Sequence, residues 1–153
     1  MTKLLSLCSN ALASKNRFGI CLRSGEPIWY GTFPPNDEYY NGEQWSAELE
    51  TAKRAIWLTK RIKEMLDLTE MKLELFVEVE WLTLANEAKG SPRKSKAGGK
   101  ARCLDILSEK HHIDLHMNLI LSRQNPANRY ITCKGFKRHS DGMAVAIESL
   151  LDA

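Results

Sequence analysis

The sequence predicts an α/β domain built on a five-stranded mixed sheet, in which three antiparallel strands are followed by two parallel ones and helices flank the sheet. The chain has 153 residues, 43% of them hydrophobic, which suits a single domain over residues 1–153. Short apolar runs separated by turn residues come first, and strands that alternate with amphipathic segments follow. We therefore expect a meander that leads into crossover units.

The meander is predicted from three short runs near the N-terminus. Residues 4–9 are apolar and are followed by polar residues, while residues 18–22 and 28–32 flank a Ser-Gly-Glu-Pro turn. Residues 33–44 are rich in Pro, Asn, Asp, Gly and Tyr, and they predict a loop. The first three strands are therefore expected to be antiparallel neighbours.

A long amphipathic helix is predicted over residues 44–68, with Ser46 near its start as a cap. Its apolar side chains recur at steps of three, four or six: Trp45, Leu49, Ala52, Ile56, Ile62 and Met65. Glu48 lies in the first turn and basic residues follow, which is the polarity that a helix dipole favours. Glu48 is therefore either a helix-start carboxylate or a site residue.

The second half of the chain predicts further strands and helices. Residues 73–79 alternate and favour a fourth strand, followed by a short helix over residues 81–88. Further helices are predicted over residues 101–111 and 142–151. A strand, a long helix, a strand and a helix in this order indicate crossover connections.

A fifth strand is predicted over residues 113–121. Its apolar residues alternate and are expected on one face: Ile113, Leu115, Met117, Leu119 and Leu121. Pro126 removes a donor from the ladder, so the strand ends there and leaves polar side chains at its end. In α/β domains such an end is a common place for functional residues.

The cysteines and the N-terminus bear on the compartment. Cys8, Cys21, Cys103 and Cys133 are far apart, without zinc-site spacing, and predict reduced thiols. The apolar run at the N-terminus is too short for a secretion signal, and no run is long enough to cross a membrane. A cytoplasmic protein without membrane association is expected.

Four short motifs lie at predicted strand ends or at the start of the long helix. They are Cys-Ser-Asn-Ala at residues 8–11, Trp-Ser-Ala-Glu at 45–48, Phe-Val-Glu-Val-Glu-Trp-Leu at 76–82 and Gln-Asn-Pro-Ala-Asn at 124–128. In this order they resemble the motifs of the ribonuclease H-like superfamily, namely type 1 ribonuclease H and the ribonuclease H-like domains of retroelements. The resemblance spans roughly residues 3–130.

This resemblance implies a catalytic site whose acidic residues hold two Mg²⁺ ions. The matching positions are Asn10, Glu48, Glu78 and Asn128, of which only the two glutamates are acidic metal ligands. Because an asparagine is neutral and its amide nitrogen is a donor, we expect Mg²⁺ binding to be weak or lost, with Mn²⁺ possible, and little hydrolysis. Asp141 resembles the aspartate that begins the last helix of other type 1 enzymes, and it would add a third acid.

Two basic segments, residues 89–102 and 130–140, carry clustered positive charge although the formal net charge is only +3. The first is predicted to be a flexible loop, and its place resembles the basic protrusion of some family members. Contacts with nucleic-acid phosphates are expected from Arg93, Lys94, Lys96, Lys100, Lys134, Lys137 and Arg138. Such contacts give salt-dependent binding with little sequence preference. The alternative is that the segment is only a solvated loop and makes no contact with nucleic acid.

Three functions remain open from the sequence. The first is a ribonuclease H-like domain that binds RNA:DNA hybrid or a related duplex while its two-metal site is impaired. The second is an active Mg²⁺-dependent endonuclease that cleaves the RNA of hybrids with Glu48, Glu78 and Asp141. The third is a protein-interaction scaffold on the same fold.

Overall fold

A computed structural model of the chain describes residues 2–34, 40–87, 96–133 and 142–151. Their centre is a five-stranded sheet with the strand order β3-β2-β1-β4-β5. The strands are β1 (Lys3–Leu12), β2 (Arg17–Leu22), β3 (Pro27–Thr32), β4 (Met71–Val77) and β5 (Ile113–Leu119). The first three pair antiparallel, whereas β4 pairs parallel to β1 and β5 parallel to β4. The predicted fold class is confirmed.

Five α-helices lie among the described residues. They are α1 (Gln44–Met65), α2 (Leu84–Glu87), α3 (Lys96–Lys110), α4 (Asn128–Thr132) and α5 (Met143–Leu151). Short 3-10 turns occur at Ala13–Lys15, Glu80–Thr83 and Ser122–Gln124. None of these described helices is long and apolar enough to cross a membrane.

The main hydrophobic core lies between one face of the sheet and the long helices. Leu5 and Leu7 of β1 and Leu73 of β4 are fully buried and pack in one cluster with Ile56 of α1 and Leu104 of α3. Alternation along the strands places these leucines on one face, and their burial supplies most of the driving force that holds the helices there. Ala146 and Leu150 of α5 join the same cluster.

A second, smaller core lies on the opposite face, beneath α4. It consists of Cys8 and Cys21, which face each other across β1 and β2, together with Ile120 and Ala127. Gly19 lies below the same helix, where an added Cβ would come within 3.2 Å of the Ala127 carbonyl oxygen. The small residues in β1 and β2 therefore let α4 approach the sheet closely.

Helix α4 was not predicted, and two strand predictions were wrong in detail. Strand β1 runs on to Leu12, so that Asn10 lies within the strand and opposite Gly19. Leu119 and Leu121 were expected on one face with the other alternating residues of β5, which are buried, but they are 54% and 52% exposed, whereas Ile120 is buried. The alternation fails because the chain leaves the sheet after Leu119 and directs Ile120 into the smaller core.

The long helix differs from its prediction at both ends. It ends at Met65, because Asp67 adopts a left-handed backbone conformation with φ of 53°. Ser46 is not its cap: Glu43 occupies the N-cap position, and Ser46 Oγ, already inside the helix, accepts a hydrogen bond from the Asn41 N–H at 3.1 Å.

The basic loop predicted over residues 89–102 is partly helical, because α3 begins at Lys96. Ala101 is fully buried and Leu104 packs in the main core, so tertiary packing extends this helix through two glycines that disfavour it. Residues 88–95 lie outside the described residues.

Hydrogen bonds from neighbouring segments reach both edge strands of the sheet, β5 and β3. On the β5 edge, Asn86 Nδ2 donates to the Met117 carbonyl oxygen and the Met117 N–H donates to Asn86 Oδ1, each at 2.8 Å. On the β3 side, the Gly142 N–H donates to the Ile28 carbonyl oxygen at 3.0 Å, just before α5 begins. The first contact continues the hydrogen bonding of an edge strand with a side chain.

Candidate functional site at the ends of β1 and β4

The side chain of Asn10 lies at the centre of a group of polar residues. It is only 6% exposed, and its Nδ2 donates hydrogen bonds to Glu78 Oε2 and to Asn128 Oδ1. The orientation of this amide follows from the backbone, because Asn10 Oδ1 accepts the N–H of Ala11 at 2.8 Å and only an oxygen can do so. The nitrogen is therefore directed towards the other polar residues.

Asn125 is a second amide at the same place. Its Nδ2 donates to Glu78 Oε2 at 2.9 Å and to the Ser9 carbonyl oxygen at 3.2 Å, while its Oδ1 accepts the Ala127 N–H at 3.0 Å. One carboxylate oxygen of Glu78 thus accepts from two amides. We call Asn10, Glu78, Asn125 and Asn128 the amide cluster.

Asn128 completes the amide cluster from the start of α4. Its Nδ2 donates to the carbonyl oxygen of Ser122 at 2.6 Å and to the Ser122 Oγ at 3.0 Å. These bonds leave Asn128 Oδ1 to accept from Asn10. Side-chain amides therefore join β1, the 3-10 turn after β5 and the start of α4.

Glu48 lies beside the amide cluster in the first turns of α1. Its side chain is buried, and Gln44 Nε2 donates to its Oε1 at 2.8 Å. Burial raises the pKa of Glu48 to about 7; the Gln44 hydrogen bond opposes this shift, and the nearby charge of Glu78 adds to it. Glu48 therefore exchanges a proton near neutral pH.

Gln44 connects Glu48 to β1. The same Nε2 that bonds Glu48 also donates to the Ala11 carbonyl oxygen at 2.8 Å, and Gln44 Oε1 accepts the Ala13 N–H at 2.9 Å. This glutamine thereby fixes the start of α1 against the strand that carries Asn10.

The described residues do not fit a pair of Mg²⁺ ions. Such ions need several anionic oxygens, but the amide of Asn10 directs N–H groups at Glu78 and Asn128, the oxygens that would have to bind them. Within the described ranges, no three His, Cys, Asp or Glu side chains form a group that could hold a metal ion. Glu48 and Glu78 supply the carboxylates there, and Glu80, two residues on, is exposed.

The structure brings four of the five predicted catalytic residues to one place. Asn10, Glu78 and Asn128 are hydrogen-bonded, and Glu48 is close enough to Glu78 for their charges to interact. The fifth, Asp141, lies outside the described residues.

The predicted phosphate contacts are not described at the level of side chains. Lys96 and Lys100 lie in the first turns of α3, where only the backbone is described. The others lie outside the described residues: Arg93, Lys94, Lys134, Lys137 and Arg138. Their role in binding stays a prediction.

Sequence reasoning missed two residues of this site. Gln44 lies four residues before Glu48 on the same helix, and this spacing, which places two side chains side by side, could have indicated the pair. Asn125 precedes Pro126, so it was expected only to end a strand, whereas its side chain also bonds Glu78. No local pattern indicates that second contact.

Comparison with known proteins gives a likeness of fold. No protein-family model matches the chain, and no curated protein sequence is significantly similar to it. The structure of LC11-RNase H1, isolated from compost by a metagenomic approach, matches with a TM-score of 0.56 and 16% identity over 99% of each chain. LC11-RNase H1 in complex with RNA/DNA hybrid matches with a TM-score of 0.54 and 16% identity, over 79% of this chain and 88% of that one. The fold is therefore ribonuclease H-like.

Proposed function

We propose that this ribonuclease H-like domain binds RNA:DNA hybrid or a related duplex, and that its two-metal site is impaired. The observation that carries the proposal is the hydrogen bond from the Asn10 amide to Glu78. A neutral donor stands where an acid of the family would bind a cation, and the Glu78 oxygen that a cation would need already accepts two amides.

The charge of the site supports impaired metal binding. Two Mg²⁺ ions carry four positive charges, whereas the amide cluster and Glu48 carry two carboxylates at most. Glu48, with a pKa of about 7, is only partly ionised at neutral pH. Mg²⁺ is therefore bound weakly or not at all, and Mn²⁺ is the more favourable test ion.

Nucleic-acid binding is supported by charge and by likeness. The two basic segments concentrate positive charge in a chain with a formal net charge of only +3. One of the matched structures, LC11-RNase H1, is a complex with RNA/DNA hybrid. Electrostatic binding of this kind follows the backbone of the duplex and needs no metal.

The proposal separates binding from cleavage, so one experiment measures both. A fluorescent hybrid is titrated with the protein in EDTA across a salt series and then incubated with Mg²⁺ or Mn²⁺. We expect salt-dependent binding without cleavage. The variant Asn10→Asp/Asn128→Asp should still bind in EDTA, though more weakly because it adds two negative charges, and it should gain cleavage in Mn²⁺. Cleavage by the unaltered protein at a rate equal to that of this variant contradicts the proposal.

An active Mg²⁺-dependent hybrid endonuclease is the second candidate function. The interaction between Glu48 and Glu78 favours it, since two carboxylates lie close together there. In this case Asp141 supplies the third acid, and Asp141→Asn abolishes cleavage. A protein that cleaves hybrid without dependence on Asp141 or Glu78 excludes this candidate.

A further inference from the structure

A cleft between α1 and α3 lies outside the amide cluster and is explained by none of the functions above. It has a volume of about 580 Å³. Each helix contributes residues spaced by three and four, so that one face of each lines the cleft: Glu50, Lys53, Arg54 and Trp57 from α1, and Cys103, Ile106, Leu107 and Lys110 from α3. Trp29 of β3 lines it as well, and we call it the indole cleft.

Aromatic rings form much of the indole cleft. Trp57 is 43% exposed although it is a large apolar side chain, and Trp29 is half-buried. Ile106, 55% exposed, provides further apolar surface. Flat apolar walls of this kind favour a ligand that carries an aromatic ring, because indoles stack well on other rings.

The charges of the indole cleft are mainly positive. Among the described residues, three basic side chains and one acid line it, and this acid, Glu50, is buried and paired with Lys53 at 2.9 Å. The guanidinium of Arg54 is held by rings, with its Cζ 4.8 Å from the centroid of Phe18 and 4.8 Å from that of Phe33. Lys110, an exposed residue at the end of α3, is complementary to an anion.

We propose that the indole cleft binds a small organic anion built on a flat aromatic ring. The ring packs against the indoles that line the cleft, and the acidic group lies near Lys110. The volume is within the range of roughly 300 to 1,000 Å³ that small-molecule sites occupy. The lining of α1 from Glu50 to Trp57 spans only about 10 Å along the axis, which is short for docking a partner helix.

Nuclear magnetic resonance of the indole N–H groups tests the proposal directly. The chain has four tryptophans, of which Trp29 and Trp57 line the cleft and Trp45 and Trp81 do not. We use 8-anilinonaphthalene-1-sulfonate as the probe, titrated into the ¹⁵N-labelled chain, with Trp29→Phe and Trp57→Phe to assign the two signals of the cleft. Saturable shifts of the Trp29 and Trp57 signals alone support the site. Shifts of all four signals, or of none, overturn it.

A matched pair of charge reversals tests the ionic part of the proposal. Lys110 lines the cleft, whereas Lys72 is an exposed lysine of β4 that does not. Lys110→Glu should raise the dissociation constant of the probe by about tenfold, and Lys72→Glu by less than about twofold. The uncharged analogue N-phenyl-1-naphthylamine should bind about tenfold more weakly than the sulfonate. Equal effects of the two reversals, or equal binding of the two probes, contradict an anion site.

Discussion

The amide of Asn10 in β1 donates to the carboxylate of Glu78, the residue that follows β4. This bond joins two neighbouring parallel strands at the end where the ribonuclease H-like resemblance implies metal ions. A hydrogen-bond donor holds the two residues together, so the cluster is stable without a cation. An aspartate at residue 10 would replace this attraction with repulsion, because two carboxylates would then face each other.

Asn10→Asp should therefore destabilise the protein and make its stability depend on metal. Without divalent ions we expect the free energy of unfolding to fall by about 2 kcal/mol, because Glu78 loses the Asn10 donor and gains a like charge beside it. Mn²⁺ at millimolar concentration should restore much of this loss, since it binds only the folded variant. Urea unfolding with and without Mn²⁺ measures both effects.

Asn41→Asp is the control for this prediction. Asn41 is exposed, and an aspartate there can still accept the Glu43 N–H that Asn41 Oδ1 accepts. Its effect should stay within about 0.5 kcal/mol and should not depend on Mn²⁺. If Asn10→Asp is as stable as the unaltered protein in EDTA, the donor role of Asn10 is wrong.

Glu48 should make folding less favourable as the pH rises. Its pKa is about 7 in the folded protein, against 4.5 ordinarily, so between these values the folded state binds the proton more tightly. The stability that this proton confers is complete below pH 4.5 and is lost as the pH rises to about 7. Glu48→Gln keeps an acceptor for Gln44 and should raise the free energy of unfolding at pH 8 by about 3 kcal/mol at most.

Urea unfolding at pH 5 and pH 8 measures this difference. Glu64→Gln is the matched control, because Glu64 is an exposed residue of the same helix that pairs with Lys60 at 3.6 Å. That variant should change stability by less than about 1 kcal/mol at either pH. An equal gain for Glu48→Gln at both pH values is incompatible with a raised pKa.

Removal of charge from the first basic segment should weaken binding of the hybrid whatever its base sequence. With Arg93→Ser/Lys94→Ser we expect the slope of log K against log salt to become shallower by about 2 when both residues contact phosphates. Fluorescence anisotropy in EDTA measures the slope without interference from cleavage.

Arg61→Ser/Lys72→Ser removes the same charge from exposed positions of α1 and β4. It should leave the slope close to that of the unaltered protein. Equal slopes for both double variants would mean that the first basic segment makes no particular contact with the duplex.

Asn86 should protect the β5 edge of the sheet. Asn86→Ala removes both bonds to the Met117 backbone and should lower the free energy of unfolding by about 1 to 2 kcal/mol. Asn86→Asp keeps the acceptor for the Met117 N–H but turns its second oxygen towards the Met117 carbonyl oxygen, so it should also lower the free energy of unfolding. Denaturant unfolding ranks the variants, and light scattering measures the association that an unprotected edge allows. An alanine variant as stable as the unaltered protein contradicts this role.

The sheet could be predicted because its strands carry a local signal. Alternation placed Leu73 and Leu75 on the buried face, and a Ser-Gly-Glu-Pro turn indicated the pairing of β2 with β3. Helix α4 was missed because five residues after an Asn-Pro turn are too few to show a helical period. Leu119 and Leu121 were misplaced for a related reason, since only the path of the chain determines where a strand leaves its sheet.

The site was predicted in part, through the resemblance rather than through local pattern. That likeness related Asn10, Glu48, Glu78 and Asn128 to one another, although they are distant in sequence. It gave no indication that the amides would bond one another, because hydrogen-bond direction depends on neighbours such as the Ala11 N–H. Asn125 and Gln44 were missed since their partners come from other elements.

Helix α1 carries both sites described above. Glu48, near its start, lies beside the amide cluster, and Trp57, nine residues later, lines the indole cleft; between them Ala52, Ala55 and Ile56 are fully buried. A helix packed in this way opens as one cooperative unit, so the backbone amides near both residues should exchange with deuterium at similar rates. A ligand that binds near one of these residues and slows the opening would therefore also slow exchange of the amides near the other, with no change in average structure.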